Sequence, residues 1–163
     1  MQQTDTLYLA MLQYFAGDAK RCQHFIKVHS LAALIGRAEG IDEHTQFLLE
    51  AAALVHDCGI KPGEAKYGRN DGKIQEQEGP AVAEVLLADA GFALQDRERI
   101  CYLVGHHHTY SNIDGLDYQI LVEADFLVNF YEDKLPPANI KICTEKIFKT
   151  ATGIKLARTM FGI

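Results

Sequence analysis

Tryptophan is absent from this 163-residue chain and proline occurs only four times. No apolar run approaches the ~18–20 residues that a membrane-spanning helix requires, so no membrane association is expected. Met1 to Tyr14 has no early Lys or Arg and no small-residue cleavage pattern, so the reading is of a cytoplasmic protein without a secretory leader. Cys22, Cys58, Cys101 and Cys143 stand about forty residues apart with no C-x-x-C pair, which reads as four reduced thiols. Basic excess is missing too. Sixteen Lys and Arg against 22 Asp and Glu give a formal charge of −6, and the basic residues are scattered. That argues against binding a nucleic-acid polymer by counterion release and against a basic amphipathic membrane helix. No Walker loop, G-x-G-x-x-G turn, G-x-S-x-G elbow or H-E-x-x-H helix occurs.

What is present is an ordinary globular composition, 48% hydrophobic, in a length that fits one domain over residues 1–163. The apolar period is close to 3.6 and no alternating strand stands out, which predicts an all-α helical bundle. The spacing predicts helices near 4–16, 18–39, 42–58, 80–90, 95–108, 117–134 and 138–160. Asp42 reads as an N-cap, Gly59 as a left-handed helix terminator, and Pro80 as a first-turn proline. Residues 61–79, rich in Gly and charge, read as a long functional loop. Ile147, Phe148, Ile154, Leu156, Met160 and Phe161 give the last helix an apolar face to cover the core or to form a homodimer seam.

Histidines and carboxylates fall on apolar faces. The third helix is apolar almost all round from Phe47 to Val55 and ends in His56-Asp57-Cys58-Gly59. A carboxylate there is desolvated and faces the negative end of the helix dipole, so it calls for a cation. The ordinary alternative is a His–Asp hydrogen-bonded pair. On the second helix, His24, Val28, Leu31 and Ile35 fall within about 60° of one another at 100° per residue, which turns His24 inward, while His29 lies near the stripe's edge. A core histidine with a backbone partner is the alternative. Ile100, Leu103, Val104 and His107 share a face, with His106 adjacent and His108 expected to point elsewhere. Asp125 sits among Leu121, Val122 and Val128, where an unpaired carboxylate is expensive and no inward Arg or Lys is in sight. Four helices aiming imidazoles and carboxylates inward are explained together by a metal site.

Arg21-x-x-His24-x-x-x-Val28-x-x-x-Ala32, the segment Ala51-Ala52-Ala53-Leu54-Val55-His56-Asp57-Cys58-Gly59, and Asp125 together resemble the H…HD…D signature of the HD superfamily. Members are all-α, metal-dependent phosphohydrolases, and the resemblance runs from Lys20 to about Phe130. It implies that His24, His56, Asp57 and Asp125 ligate one metal ion. It admits a second ion on His106 and His107, with Glu78 or Glu76 standing in for a histidine that family members carry before the segment resembling Gly79-x-Ala81. The lysine that often follows the HD pair stands one residue late, at Lys61.

Imidazole and carboxylate ligands with open positions suit Mn, Fe, Co, Ni or Zn. The implied reaction is attack of a metal-activated water on a small phosphoester or nucleotide, with Asp57 holding the water and Lys61 and Arg69 binding phosphate. Three alternatives remain at this point: a di-iron oxygenase on the same scaffold, a nucleotide-sensing module that binds without chemistry, and a purely structural helical domain.

Overall fold

The computed structural model describes residues 2–163, and these form nine α-helices and no strand. They are α1 (Gln3–Tyr14), α2 (Ala19–Glu39), α3 (Glu43–Val55), α4 (Ile60–Tyr67), α5 (Gly72–Asp89), α6 (Leu94–Val104), α7 (Leu116–Glu132), α8 (Pro137–Ile147) and α9 (Ala151–Phe161). The all-α expectation holds. Helix α3 lies at the centre, between α2, α6, α7 and α1, and α2 also packs along α7. From Leu48 to Val55 α3 buries every residue but Glu50, as an apolar sequence without a polar face must. Asp42 caps it, accepting from the amide of Thr45 at 3.0 Å.

Helix α7 is buried on most sides, and its polar residues are met by partners. The guanidinium of Arg99 on α6 grips Asp117 at 2.7 and 2.9 Å, which fixes α6 against the start of α7. Glu123 collects hydrogen bonds from Gln119 and from the segment joining α8 to α9. Helix α9 then covers α2 and α7, so the carboxyl-terminal apolar residues other than the exposed Met160 pack on the core, with Phe148 stacked on Phe130.

Four local expectations are corrected. Residues 61–79 are not a loop: they hold α4 and the first half of α5, joined by a short turn after the left-handed Gly68. Gly and charge hid two helices whose stability comes from packing rather than propensity. Pro80 lies inside α5, not in its first turn. The last helix breaks at the extended Phe148 into α8 and α9. Gly59 is right-handed (φ −70°) and begins α4 rather than ending α3 in a left-handed turn. Its role is close approach, since a Cβ there would stand 2.5 Å from the Gln75 carbonyl oxygen and 2.7 Å from the Gly79 nitrogen. This contact presses the His56–Gly59 turn against α5.

Candidate metal centre

His24 projects from the buried face of α2, His56 and Asp57 stand in the turn after α3, and Asp125 lies midway along α7. Their donor atoms converge. The Nε2 of His24 is 3.2 Å from the Nε2 of His56, 3.2 Å from Oδ1 of Asp125 and 3.3 Å from Oδ2 of Asp57. The Nε2 of His56 lies 3.6 Å from an oxygen of each aspartate. The inward placement of His24 and Asp125 read from helical spacing, and of His56 and Asp57 read from the end of an apolar helix, matches where the structure puts them.

Each ring is held from behind. Nδ1 of His56 donates to the carbonyl of Ala53 at 2.8 Å, and Nδ1 of His107 to that of Val104 at 2.7 Å. A carbonyl only accepts, so both rings carry their proton on Nδ1 and present the Nε2 lone pair inward. Nδ1 of His24 meets Oε2 of Glu132 at 2.8 Å, and the other oxygen of Glu132 pairs with Lys27 at 2.7 Å. The amide of Asn129 donates to Oδ1 of Asp125 at 2.9 Å. Asp125, Asn129 and Glu132 stand at i, i+4 and i+7, so one stripe of α7 supplies a donor and two of its supports.

A second group overlaps the first. Asp57, His107 and His108 offer ligand atoms within 4.8 Å of one another, as His24, His56 and Asp57 do, and Asp57 belongs to both. The Nε2 of His107, 3.5 Å from Oδ1 of Asp57, is buried without a hydrogen-bond partner. Such an orphan is unfavourable. A divalent cation removes that cost, and the mixed imidazole–carboxylate donors fit a transition ion.

The electrostatics of the ion-free protein agree. Burial alone lowers the pKa of His24, but hydrogen bonding to Asp125 and the charges of Asp57 and Asp125 override it, pushing the imidazole up to about 9. His56 is raised for similar reasons against its burial. Asp57 and Asp125 are desolvated, yet the neighbouring imidazoles hold both carboxyls well below the usual range. A proton thus takes the place a cation would occupy. His108 is pushed down to about 4 by burial and by His107 beside it, so it is neutral and ready to donate a lone pair.

A cavity of about 430 Å³ opens onto these groups, lined by His24, Asp57, His108 and Asp125 together with Lys20 and Arg21. Several sequence expectations fail here. Lys61 does not line it: its ammonium donates to the Tyr14 carbonyl at 2.7 Å and sits over the Tyr14 ring. Arg69 is exposed and paired with Asp71. The helical register of α4 carries Lys61 away, and Arg69 stands in the turn beyond that helix. Glu78 is tied to Lys66 and Tyr67, and Glu76 accepts from the His108 amide and Thr109. Neither joins the donor cluster; Gln75 holds that neighbourhood, its Oε1 3.0 Å from Nε2 of His108. His106 stacks on Tyr102, with Nδ1 on the Tyr102 carbonyl, outside the cluster. The expected pair His106–His107 is therefore His107–His108.

The reason is local. Helix α6 ends at Val104, and residues 105–108 continue in tight turns, His106 N to Leu103 O and Thr109 N to His106 O, so the 100° wheel no longer applies. His108, Gln75, Asn129, Glu132, Lys20 and Arg21 all escaped the sequence reading as site residues. Arg21 carried the one available signal, its fixed place three residues before His24.

Comparison with known proteins points the same way. The sequence model of the HD domain family matches residues 21–147. A crystal structure described as a predicted HD superfamily hydrolase from an uncultured Thermotogales bacterium is similar in fold, with a TM-score of 0.68. The similarity covers 96% of this chain and 83% of that one at 24% sequence identity. No curated protein matches the chain.

Proposed function

The chain belongs to the HD-domain family, and from that premise we propose that it is a metal-dependent phosphohydrolase acting on a small phosphoester. His24, His56, Asp57 and Asp125 would hold one divalent transition ion, and Asp57, His107 and His108 a second. The observation that carries the reading is the shared carboxylate: Asp57 joins two donor groups at the mouth of one polar cavity. The relative's description as a hydrolase supports the same class of reaction.

Bound there, a divalent ion supplies Lewis-acid polarisation of a phosphoryl oxygen and brings the pKa of water towards neutrality. The chain's own groups do the rest. Asp57, kept ionised, would orient the attacking water by accepting a hydrogen bond from it. The water oxygen bonds to phosphorus, the ester P–O bond breaks, and the alcohol leaves with a proton. Arg21 and Lys20, in place of Lys61 and Arg69, face the remaining phosphoryl charge from the cavity wall. Arg21 is pre-oriented by Asp18 at 3.2 Å and by Glu64.

Elemental analysis of protein purified without a metal-affinity tag, followed by phosphate release from p-nitrophenyl phosphate with Mn, Co or Ni, tests this. The expected result is bound transition metal and metal-dependent turnover that His24→Ala and Asp125→Ala abolish. Metal-loaded protein without turnover on any phosphoester overturns the reading.

A further inference from the structure

We propose that the substrate is the monophosphate of a small polyhydroxylated alcohol, a sugar phosphate in kind, rather than a nucleotide or a polyphosphate. This inference rests on the phosphohydrolase reading and narrows it.

The argument concerns the part of the cavity that would receive the alcohol half of the ester. Away from the inward donor groups, the lining residues include Asp18, Lys20, Arg21, Ile60, Asn70 and Asp133. Ile60 is the one aliphatic residue of the lining, and no Phe or Tyr is among the lining residues, all of which are described. A nucleobase gains ~1–3 kcal/mol when it stacks on an aromatic platform, and here it would be desolvated against carboxylates and amides instead. The wall offers acceptors in excess. Asp18 is occupied by the amide and guanidinium of Arg21, but the carboxylate of Asp133 and the amide oxygen of Asn70, whose NH2 donates to Glu64, match the O–H donors of a polyol, which can donate and accept in turn.

Charge gives an independent constraint. With His24 given over to the metal, Lys20 and Arg21 are the only cationic side chains lining the cavity, against five carboxylates: Asp18, Asp57, Asp125, Glu132 and Asp133. One phosphoryl group would be balanced by metal held at the centre together with Arg21 and Lys20. A second or third phosphate would have to sit against Asp133, where like charge disfavours it. An alcohol half that is neutral, compact and rich in hydroxyls meets both conditions.

The test compares ribose 5-phosphate with adenosine 5′-monophosphate on the metal-loaded protein, because the pair shares phosphate and sugar and differs by the base. We expect kcat/KM for ribose 5-phosphate to exceed that for the nucleotide by about tenfold or more, with adenosine diphosphate poorer still. Asp133→Asn should shift the two ends in opposite directions, lowering kcat/KM for the sugar phosphate and raising it for the diphosphate. A nucleotide turned over as well as or better than ribose 5-phosphate overturns this inference while leaving the phosphohydrolase reading intact. Metal-loaded protein that hydrolyses neither of these nor p-nitrophenyl phosphate overturns both.

Discussion

Oε2 of Glu132 lies 2.8 Å from Nδ1 of His24, which makes His24 the one imidazole among His24, His56 and His107 that is backed by a carboxylate rather than a peptide carbonyl. A carboxylate behind a ligand histidine fixes its tautomer and strengthens its lone pair as a donor. Lys27, 2.7 Å from the other oxygen, keeps Glu132 in place. Glu132→Gln retains an acceptor oxygen and removes the charge, so the metal dissociation constant should rise about 10–100-fold. Glu132→Asp should restore part of the loss. Competition titration against a chelator measures both, and nitrogen chemical shifts of His24 in the ion-free protein, taken above its pKa of about 9 where the ring is neutral, report the tautomer directly. Unchanged affinity in Glu132→Gln would make the contact purely structural.

Metal affinity should depend on pH with a definite sign. His24, raised to about 9, is protonated in the ion-free protein at neutral pH, and His56 is raised as well. A ligand must shed its proton to bind, so an ion has to displace it. Affinity therefore rises with pH, by about tenfold per unit for each proton displaced, until His24 titrates near 9, and then gains nothing more from that group. Asp57 and Asp125, held below the usual carboxylate range, stay ionised throughout and add no dependence near neutrality. Calorimetry in buffers of different ionisation enthalpy counts the protons released. Zero release at pH 7 would contradict the raised imidazoles.

The two ends of the His106–His108 run should separate cleanly. His108→Ala removes a donor from the group that shares Asp57 and should lower both metal content per chain and turnover. His106→Ala removes a ring that stacks on Tyr102, 4.1 Å away, and should leave metal content unchanged. Elemental analysis of the two variants decides it; the reverse pattern would mean that the turn after α6 is misread.

These contrasts also show where sequence reasoning stops. Within regular helix, 100° per residue placed His24 and Asp125 on inward faces, because burial repeats with the helical period and their apolar neighbours reveal it. The all-α architecture was legible for the same reason. Beyond a helix end that periodicity vanishes, and His108 was assigned the wrong side. Lys61 and Arg69 failed differently: α4 and the first half of α5 are stabilised by burial of Ile60, Gly63 and Ile74 against each other's helices, a tertiary effect that composition does not display. Arg21, Lys20 and Glu132 are polar residues near the ends of α2 and α7. Only the packing of α2 along α7 gives them a common cavity.

Glu123 provides the last prediction, since its position two residues before Asp125 makes it look like a fifth donor. Its carboxylate is fully buried but turned to the other side of α7. It accepts from Gln119 Nε2 and the Lys149 amide at 2.7 Å, from the Thr150 amide at 3.0 Å, and from the Thr150 hydroxyl. It therefore closes the break between α8 and α9 and has no contact with the centre. Gly153 leaves it room: a Cβ there would stand 1.9 Å from Oε2. Gly153→Ala must displace a buried, multiply bonded carboxylate, an overpacking and lost-bond penalty on the order of 2–4 kcal/mol. For a chain of this length that corresponds to a fall in Tm of about 2–4 °C per kcal/mol, read by circular dichroism. Metal affinity measured well below the transition should not move, because the displaced group lies on the opposite face from Asp125, Asn129 and Glu132. If affinity drops in the folded variant, the segment joining α8 to α9 is coupled to the centre through α7, and the division of that helix into a structural face and a chemical face is wrong.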